Sequence, residues 1–185
     1  TYTGTRWNVS AAILSQGGRM ATIIALAAFL EPEEFGVMGL ALLVMGLAQT
    51  FRTLGTGEAI IQRLELEPIT LDSAFWVTSS LGIAFTGIMI ALASPLATLF
   101  AEPQLVAVVS VVAFQFMIVG FQDVPQALMN RAMRFRELSM INLGMTLCYT
   151  ALVLLLALQG YGVMALAYAA TVEVLLGAAA TIALA

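Results

Sequence analysis

The sequence predicts an all-α, polytopic membrane protein, and this prediction comes from its composition and its hydrophobic runs. Of the 185 residues, 61% are hydrophobic and 10% are charged, whereas soluble proteins average roughly 45–50% apolar and about 25% charged residues. A transmembrane helix needs about 20 mainly apolar residues to cross a hydrocarbon core of about 30 Å. The chain holds six runs of about that length, at residues 7–30, 35–51, 73–100, 105–126, 138–158 and 163–185.

Polar segments separate these runs. The first hairpin turns at the acidic segment 31–34, and Glu102 and Pro103 mark a later turn. The longer link at residues 52–72 contains a stretch, residues 58–66, that we expect to form a short interfacial helix. Because the chain begins without a Met and ends inside an apolar run, we expect one helical bundle from a longer protein.

The positions of the arginines predict the orientation. The positive-inside rule places the Lys and Arg residues of short loops on the cytoplasmic side. Six arginines fall at run ends on one side, and the loops of the other side carry only acidic charges. These arginines are Arg6, Arg52, Arg63, Arg131, Arg134 and Arg136. We therefore expect the N-terminus to lie in the cytoplasm.

The residue inventory argues against catalysis. The chain has no His and one Cys, Cys148, so it cannot form a His/Cys metal cluster, a thiol dyad or a Ser-His-Asp triad. We predict that the protein is not an enzyme and that it has no catalytic residue, metal or cofactor. Its few charges also argue against nucleic acid as a partner.

Arg19 is the most informative residue, because it lies near the middle of the first run. A cation at the bilayer centre costs about 2.5–3.5 kcal/mol on insertion scales, so Arg19 should face protein or water. Gln16 shares its helical face. We predict that Arg19, helped by Gln16, binds an anionic substrate group such as a phosphate, to which guanidinium offers forked hydrogen bonds.

The alternative for Arg19 is an ion pair inside the bundle. Glu173 lies near the middle of the sixth run, so its depth should match that of Arg19. If they pair, each charge lowers the cost of burying the other, and an anionic substrate that displaces Glu173 would free it to take up a proton. The sequence leaves both roles open.

Other polar and small residues indicate packing or lipid contact. Gln115, Gln122 and Gln126 recur at helical spacing in the fourth run, and Asn142, Thr146 and Tyr149 do so in the fifth. Such stripes most often form hydrogen bonds between helices. Small residues allow close helix approach, and the candidates are Gly36, Gly39, Gly46 and Gly87. We expect the basic cluster Arg131, Arg134 and Arg136 to contact anionic lipid head groups, or alternatively the head group of a substrate.

Six motifs then occur in an order that resembles a known family. They stand at residues 31–36 (EPEEFG), 54–63 (LGTGEAIIQR), 74–76 (AFW), 125–131 (PQALMNR), 134–136 (RFR) and 160–166 (GYGVMAL). Together they resemble the polysaccharide biosynthesis proteins and O-antigen flippases of the multidrug/oligosaccharidyl-lipid/polysaccharide exporter superfamily.

This resemblance implies a bacterial inner-membrane transporter with two bundles that alternate between inward-facing and outward-facing states, of which this chain would be the N-terminal bundle. It implies flipping of a lipid-linked oligosaccharide or polysaccharide precursor carried on undecaprenyl diphosphate, with membrane lipids and the polysaccharide polymerase machinery as further partners. Arg19 fits the cationic cavity expected in that group. Two alternatives stay open, a multidrug extrusion antiporter and a non-transporting membrane scaffold of a glycan assembly complex.

Overall fold

The computed structural model describes residues 16–17, 22, 24–26, 31–54, 68–132 and 134–184. These ranges contain five long helices and no strand, so the predicted all-α class is confirmed. The helices are α1 (Pro32–Leu54), α2 (Pro68–Phe100), α3 (Gln104–Arg131), α4 (Phe135–Leu158) and α5 (Val163–Leu184). Most of the first predicted run, and the interfacial helix expected at 58–66, lie outside the described residues.

All five helices are long and apolar enough to cross a membrane. Their candidate spans contain 21 to 30 residues, with mean hydropathies between 1.5 and 2.2. Large apolar side chains cover the outer surface, and Leu99, Leu147 and Ile83 are 74%, 64% and 52% exposed. A contiguous apolar surface of this kind suits lipid and would promote association in water. The protein is therefore a multi-pass membrane protein.

Several helices extend beyond the runs that hydropathy delimits. α3 continues to Arg131, where the sequence predicted an end at Gln126, and α1 and α2 begin at Pro32 and Pro68. Proline suits the first helical position because the missing N–H has no partner there in any case. Hydropathy detects only the stretch inside the hydrocarbon, whereas backbone hydrogen bonding continues through polar residues at the head-group level.

Short turns reverse the chain between α2 and α5. Backbone φ is positive at Ala101 (57°), Gly160 (80°) and Gly162 (55°), the region that glycine adopts most readily. Consecutive helices from α2 onward are therefore antiparallel. α3 occupies the centre, since it packs against α1, α2 and α5, while α4 packs mainly on α5.

The core lies along α3, whose residues Leu105, Val108, Val112 and Phe116 are buried. They pack with buried residues of the other helices, among them Val37 of α1. Because lipid tails are as apolar as these side chains, close packing and hydrogen bonds hold the helices together more than hydrophobic burial does.

α2 and α3 cross at two glycines. A Cβ added at Gly82 would lie 2.5 Å from the Phe116 carbonyl oxygen, and one added at Gly120 would lie 2.7 Å from the Thr78 carbonyl oxygen. Next to this crossing, the Thr86 hydroxyl donates to the Ala113 carbonyl oxygen at 3.0 Å. Only glycine allows the two backbones to approach this closely.

The glycines predicted from the sequence to allow close helix approach are different from those at this crossing. A Cβ added to any of them would meet no described atom within 4 Å; these residues are Gly36, Gly39, Gly46 and Gly87. The packing prediction is therefore wrong for the described part of the chain. The physical reason is that spacing shows which residues share a helical face, but does not show which face meets a neighbour.

Candidate functional site

A buried ion pair joins α1 to α3. The Arg52 guanidinium donates from Nη1 to Asp123 Oδ2 at 2.8 Å and from Nη2 to Oδ1 at 3.4 Å. Its Nε donates to Gln49 Oε1 at 3.2 Å. The Arg52 side chain is 4% exposed and that of Asp123 is 32% exposed. Two parallel charge-assisted hydrogen bonds fix both the distance and the orientation of the pair.

The pair lies near one end of the bundle. At 1.5 Å per residue, Arg52 is about 30 Å along α1 from Pro32, and Asp123 is about 28 Å along α3 from Gln104. The two helices therefore run in the same direction. The sequence placed Arg52 at the end of an apolar run, and the structure places it in the last turn of α1, where its side chain is buried.

Glu34 joins α1 to α5 at the opposite end. Its Oε2 accepts from the Glu31 backbone N–H at 3.0 Å, and its Oε1 accepts from the Val163 backbone N–H at 3.1 Å. One carboxylate thus satisfies free donors at two helix N-termini, where the helix dipole also favours negative charge. Gly162 leaves the space for this contact, since a Cβ there would collide with Glu34.

Side-chain amides join α3 to α5 between these two ends. Gln115 Nε2 lies 3.5 Å from Thr171 Oγ1, and Gln122 Nε2 donates to Thr181 Oγ1 at 3.2 Å. The prediction of interhelical hydrogen bonds is confirmed for these two glutamines. Gln126, the third member of the stripe, is exposed.

The first run contacts α4 through a pair of threonines. Thr22 Oγ1 lies 2.9 Å from Thr150 Oγ1, and Thr22 and Leu26 are both buried. Gln16, a predicted substrate-binding residue, has helical backbone and is exposed. Arg19 lies outside the described residues, so its predicted role stays a prediction.

The remaining predicted site residues lie in the middle of α5 and around the turn between α3 and α4. Glu173 is half-buried near the middle of α5. Arg131 is exposed in the last turn of α3, and Arg134 pairs with Glu137 and donates to the Leu184 carbonyl oxygen. The backbone of Arg136 belongs to α4, and its side chain lies outside the described atoms.

The described polar groups form hydrogen bonds and ion pairs within the bundle. Within the described ranges, no group of three or more His, Cys, Asp or Glu side chains is arranged to hold a metal ion. The polar groups that the bundle does offer are amides, hydroxyls and charges on membrane-spanning helices. Such residues are expensive in a bilayer and usually mark a ligand path or a helix contact.

The chain matches the model of a known protein family over most of its length. The model of the polysaccharide biosynthesis protein family matches residues 25–185, which is most of the chain. The chain belongs to this family. The motif order in the sequence predicted the same group, so that resemblance is confirmed.

Three curated proteins are similar to this family member. Lipopolysaccharide biosynthesis protein WzxC of Escherichia coli (strain K12) is 24% identical over 76% of this chain and 29% of its own length. Succinoglycan biosynthesis transport protein ExoT of Rhizobium meliloti (strain 1021) is 28% identical over 86% of this chain and 33% of its own length. An uncharacterized membrane protein in the cps region of Klebsiella pneumoniae is 25% identical over 76% of this chain and 29% of its own length.

The chain thus spans about a third of the length of these relatives. No solved structure matches it significantly.

Sequence reasoning missed the Arg52–Asp123 pair and the double cap at Glu34. Asp123 stands beside the glutamine stripe of α3, which was a usable signal, since an acidic residue in a spanning helix requires a partner. The sequence held no comparable signal for Glu34, whose contact with Val163 depends on how two distant turns meet.

Proposed function

We propose that this protein moves a lipid-linked oligosaccharide or polysaccharide precursor across the bacterial inner membrane. The observation that carries the proposal is the family match over residues 25–185. The name of the Rhizobium relative, a succinoglycan biosynthesis transport protein, supports the assignment to transport. The membrane-spanning bundle with polar groups between its helices is the architecture that such a role requires.

In this proposal the chain forms the N-terminal bundle of a two-bundle transporter. The substrate is a glycan on undecaprenyl diphosphate, and it crosses the membrane without covalent chemistry as the bundles alternate between two states. A ligand shifts such an equilibrium only by its difference in affinity for the two states. The polymerase machinery that uses the exported precursor is the expected partner on the outer face.

Arg19 is the proposed anchor for the diphosphate. Residues 19, 22 and 26 follow the i, i+3, i+7 pattern of one helical face. Thr22 and Leu26 are buried, which supports a position for Arg19 on the face of this helix that is turned toward the bundle. Glu173 supplies the anion that neutralises Arg19 when no substrate is bound. The arginines Arg131, Arg134 and Arg136 hold head groups at the cytoplasmic surface.

Export of surface polysaccharide tests this assignment. We expect Arg19→Gln to abolish export and to cause lipid-linked precursor to accumulate inside the cell, because an amide cannot neutralise a diphosphate. The Arg19→Gln/Glu173→Gln double variant should not restore export. Glu33→Gln, which changes an exposed charged residue in the first turn of α1, is the control, and all variants are compared at equal membrane levels.

Two results would contradict the proposal in different ways. Normal export in all variants would remove Arg19 from the mechanism. Restored export in the double variant would show that Arg19 and Glu173 form a structural pair, as in a scaffold, and that the substrate binds elsewhere.

A further inference from the structure

The two halves of the bundle are packed differently. In α1 to α5, the buried apolar cluster lies within about 20 Å of the end where Glu34 meets Val163, at 1.5 Å per helical residue. Its buried members end at Met45 in α1 and at Phe116 in α3. Among the described residues, those buried in the opposite half are fewer, and several are polar, including Thr78, Ser79 and Thr181.

In this second half, α1 is attached to the bundle through its ion pair. From residue 46 to residue 52, a stretch that the structure describes in full, Arg52 is the one buried residue of α1. Leu47 and Phe51 on this stretch are 58% and 68% exposed. The apolar packing of α1 ends at Met45, about 10 Å before Arg52. The bidentate pair with Asp123 is therefore the main described attachment of this end of α1.

The other neighbours of α3 are joined to it more closely in the same half. Gly82 and Gly120 bring the backbones of α2 and α3 together about 24 Å along α3 from Gln104. Slightly further on, Gln122 donates to Thr181 of α5. A region with few buried apolar contacts opens at a lower free energy than a well-packed one. Of these helices, α1 can therefore separate from α3 at the lowest cost.

Both charges of the pair can find other partners when the helices separate. Arg52 is the last residue of the candidate span of α1, and a long arginine side chain near a helix end can extend to water and lipid phosphates. Asp123 is 32% exposed while the pair is formed, so water already reaches its carboxylate. The pair can thus exist in two discrete states, formed and separated, which is what a conformational switch requires.

We propose that the Arg52–Asp123 pair is a latch on a movable α1. When the pair separates, the Arg52 end of α1 swings away from α3, and the packed half near Glu34 stays in place as the pivot. This inference goes beyond the proposed function, because it concerns the movement of one helix and does not depend on which substrate the protein moves. Its test needs no substrate.

Distances between spin labels on the purified full-length protein in lipid nanodiscs test the latch. The labels are attached in a cysteine-free background that includes Cys148→Ser. The first label pair, Phe51→Cys and Gln126→Cys, stands on exposed residues of α1 and α3 near the latch. The second pair, Glu33→Cys and Gln104→Cys, stands on exposed residues of the same helices at the pivot. Pulsed electron paramagnetic resonance gives the distance distribution of each pair.

Asp123→Asn removes the charge and keeps the shape of the side chain. We expect it to raise the ratio of longer to shorter distances for the first label pair about tenfold, and to leave the second pair unchanged. Arg52→Gln should give the same shift, and it leaves only the partly hydrated carboxylate unpaired, so it should fold even if Asp123→Asn does not. Gly82→Ala, which strains the crossing of α2 and α3 without touching the latch, is the matched control and should change neither distribution.

Three results would overturn the inference. An unchanged distance for the first label pair in both latch variants would show that the ion pair only stabilises the bundle. Equal lengthening of both label pairs would show a general loosening without a pivot. The same shift in Gly82→Ala would assign the change to lost stability and not to the latch. All three results would leave the proposed function intact, since no substrate is present.

Discussion

At the residue scale, Arg52 and Asp123 carry the clearest energetic consequence. Removing one partner of a buried ion pair leaves an uncompensated charge, at a cost of about 3–5 kcal/mol, whereas replacing both partners by apolar residues is often neutral. Asp123 is 32% exposed, so water offsets part of the cost and the lower end of that range applies. Any motion that separates α1 from α3 at this level must supply Arg52 with another anion.

We therefore expect Asp123→Ala to lower the free energy of unfolding by about 3 kcal/mol. The loss is measured as a lower melting temperature of the detergent-solubilised protein. The Arg52→Leu/Asp123→Leu double variant should recover most of it. If Asp123→Ala melts like the wild type, the pair does not stabilise the bundle.

The pairing of Arg52 with Asp123 could not be predicted from the sequence. Arg52 stands at the edge of an apolar run, and its position in the sequence does not show whether its side chain is buried. Its partner lies 71 residues away in the sequence, and no local spacing joins the two. The glutamine contacts of α3 were predictable because the stripe itself repeats at helical spacing, although the partners Thr171 and Thr181 were not.

At the element scale, the crossing of α2 and α3 depends on two glycines. We predict that Gly82→Ala lowers the free energy of unfolding by about 1–3 kcal/mol, the usual cost of overpacking, because the new methyl group would meet the Phe116 carbonyl oxygen. Gly87→Ala, which faces open space among the described residues, is the matched control. Equal melting temperatures for the two variants would contradict the close crossing.

The hydrogen bonds that Glu34 accepts at the N-termini of α1 and α5 lead to a second prediction about helix contacts. Glu34→Ala removes the acceptor of two helix N-termini and should lower the free energy of unfolding by about 1 kcal/mol or more. Glu33→Ala, at the adjacent exposed acid of the same first turn, should have a smaller effect. Thermal melting distinguishes them, and a larger loss for Glu33→Ala would exclude the double cap.

Helix positions were predictable from sequence, whereas helix contacts were only partly so. Hydropathy located all five described helices to within a few residues, because the bilayer sets the length of an apolar run. It did not identify the side of each helix that meets a neighbour. Gly36 and Gly39 therefore looked like packing residues, while Gly82 and Gly120 form the crossing.

At the scale of the whole molecule, the orientation is the first prediction to test. In a cysteine-free background that includes Cys148→Ser, Gln159→Cys should react with a membrane-impermeant maleimide added to intact cells. Asn130→Cys should react only after the membrane is opened. Both side chains are exposed at helix ends, so access depends on the side of the membrane alone. The reverse pattern would place the N-terminus outside.

The proposed movement of a lipid-linked oligosaccharide between leaflets can be measured with the purified protein. The most direct measurement reconstitutes the full-length protein in vesicles that contain undecaprenyl diphosphate-linked oligosaccharide, and follows the arrival of the glycan at the opposite leaflet with an impermeant sugar-binding lectin. We predict arrival that requires the wild-type protein and is lost in Arg19→Gln. Vesicles that show no protein-dependent arrival, yet move a lipophilic cationic drug, would contradict the claim and support extrusion of drugs instead.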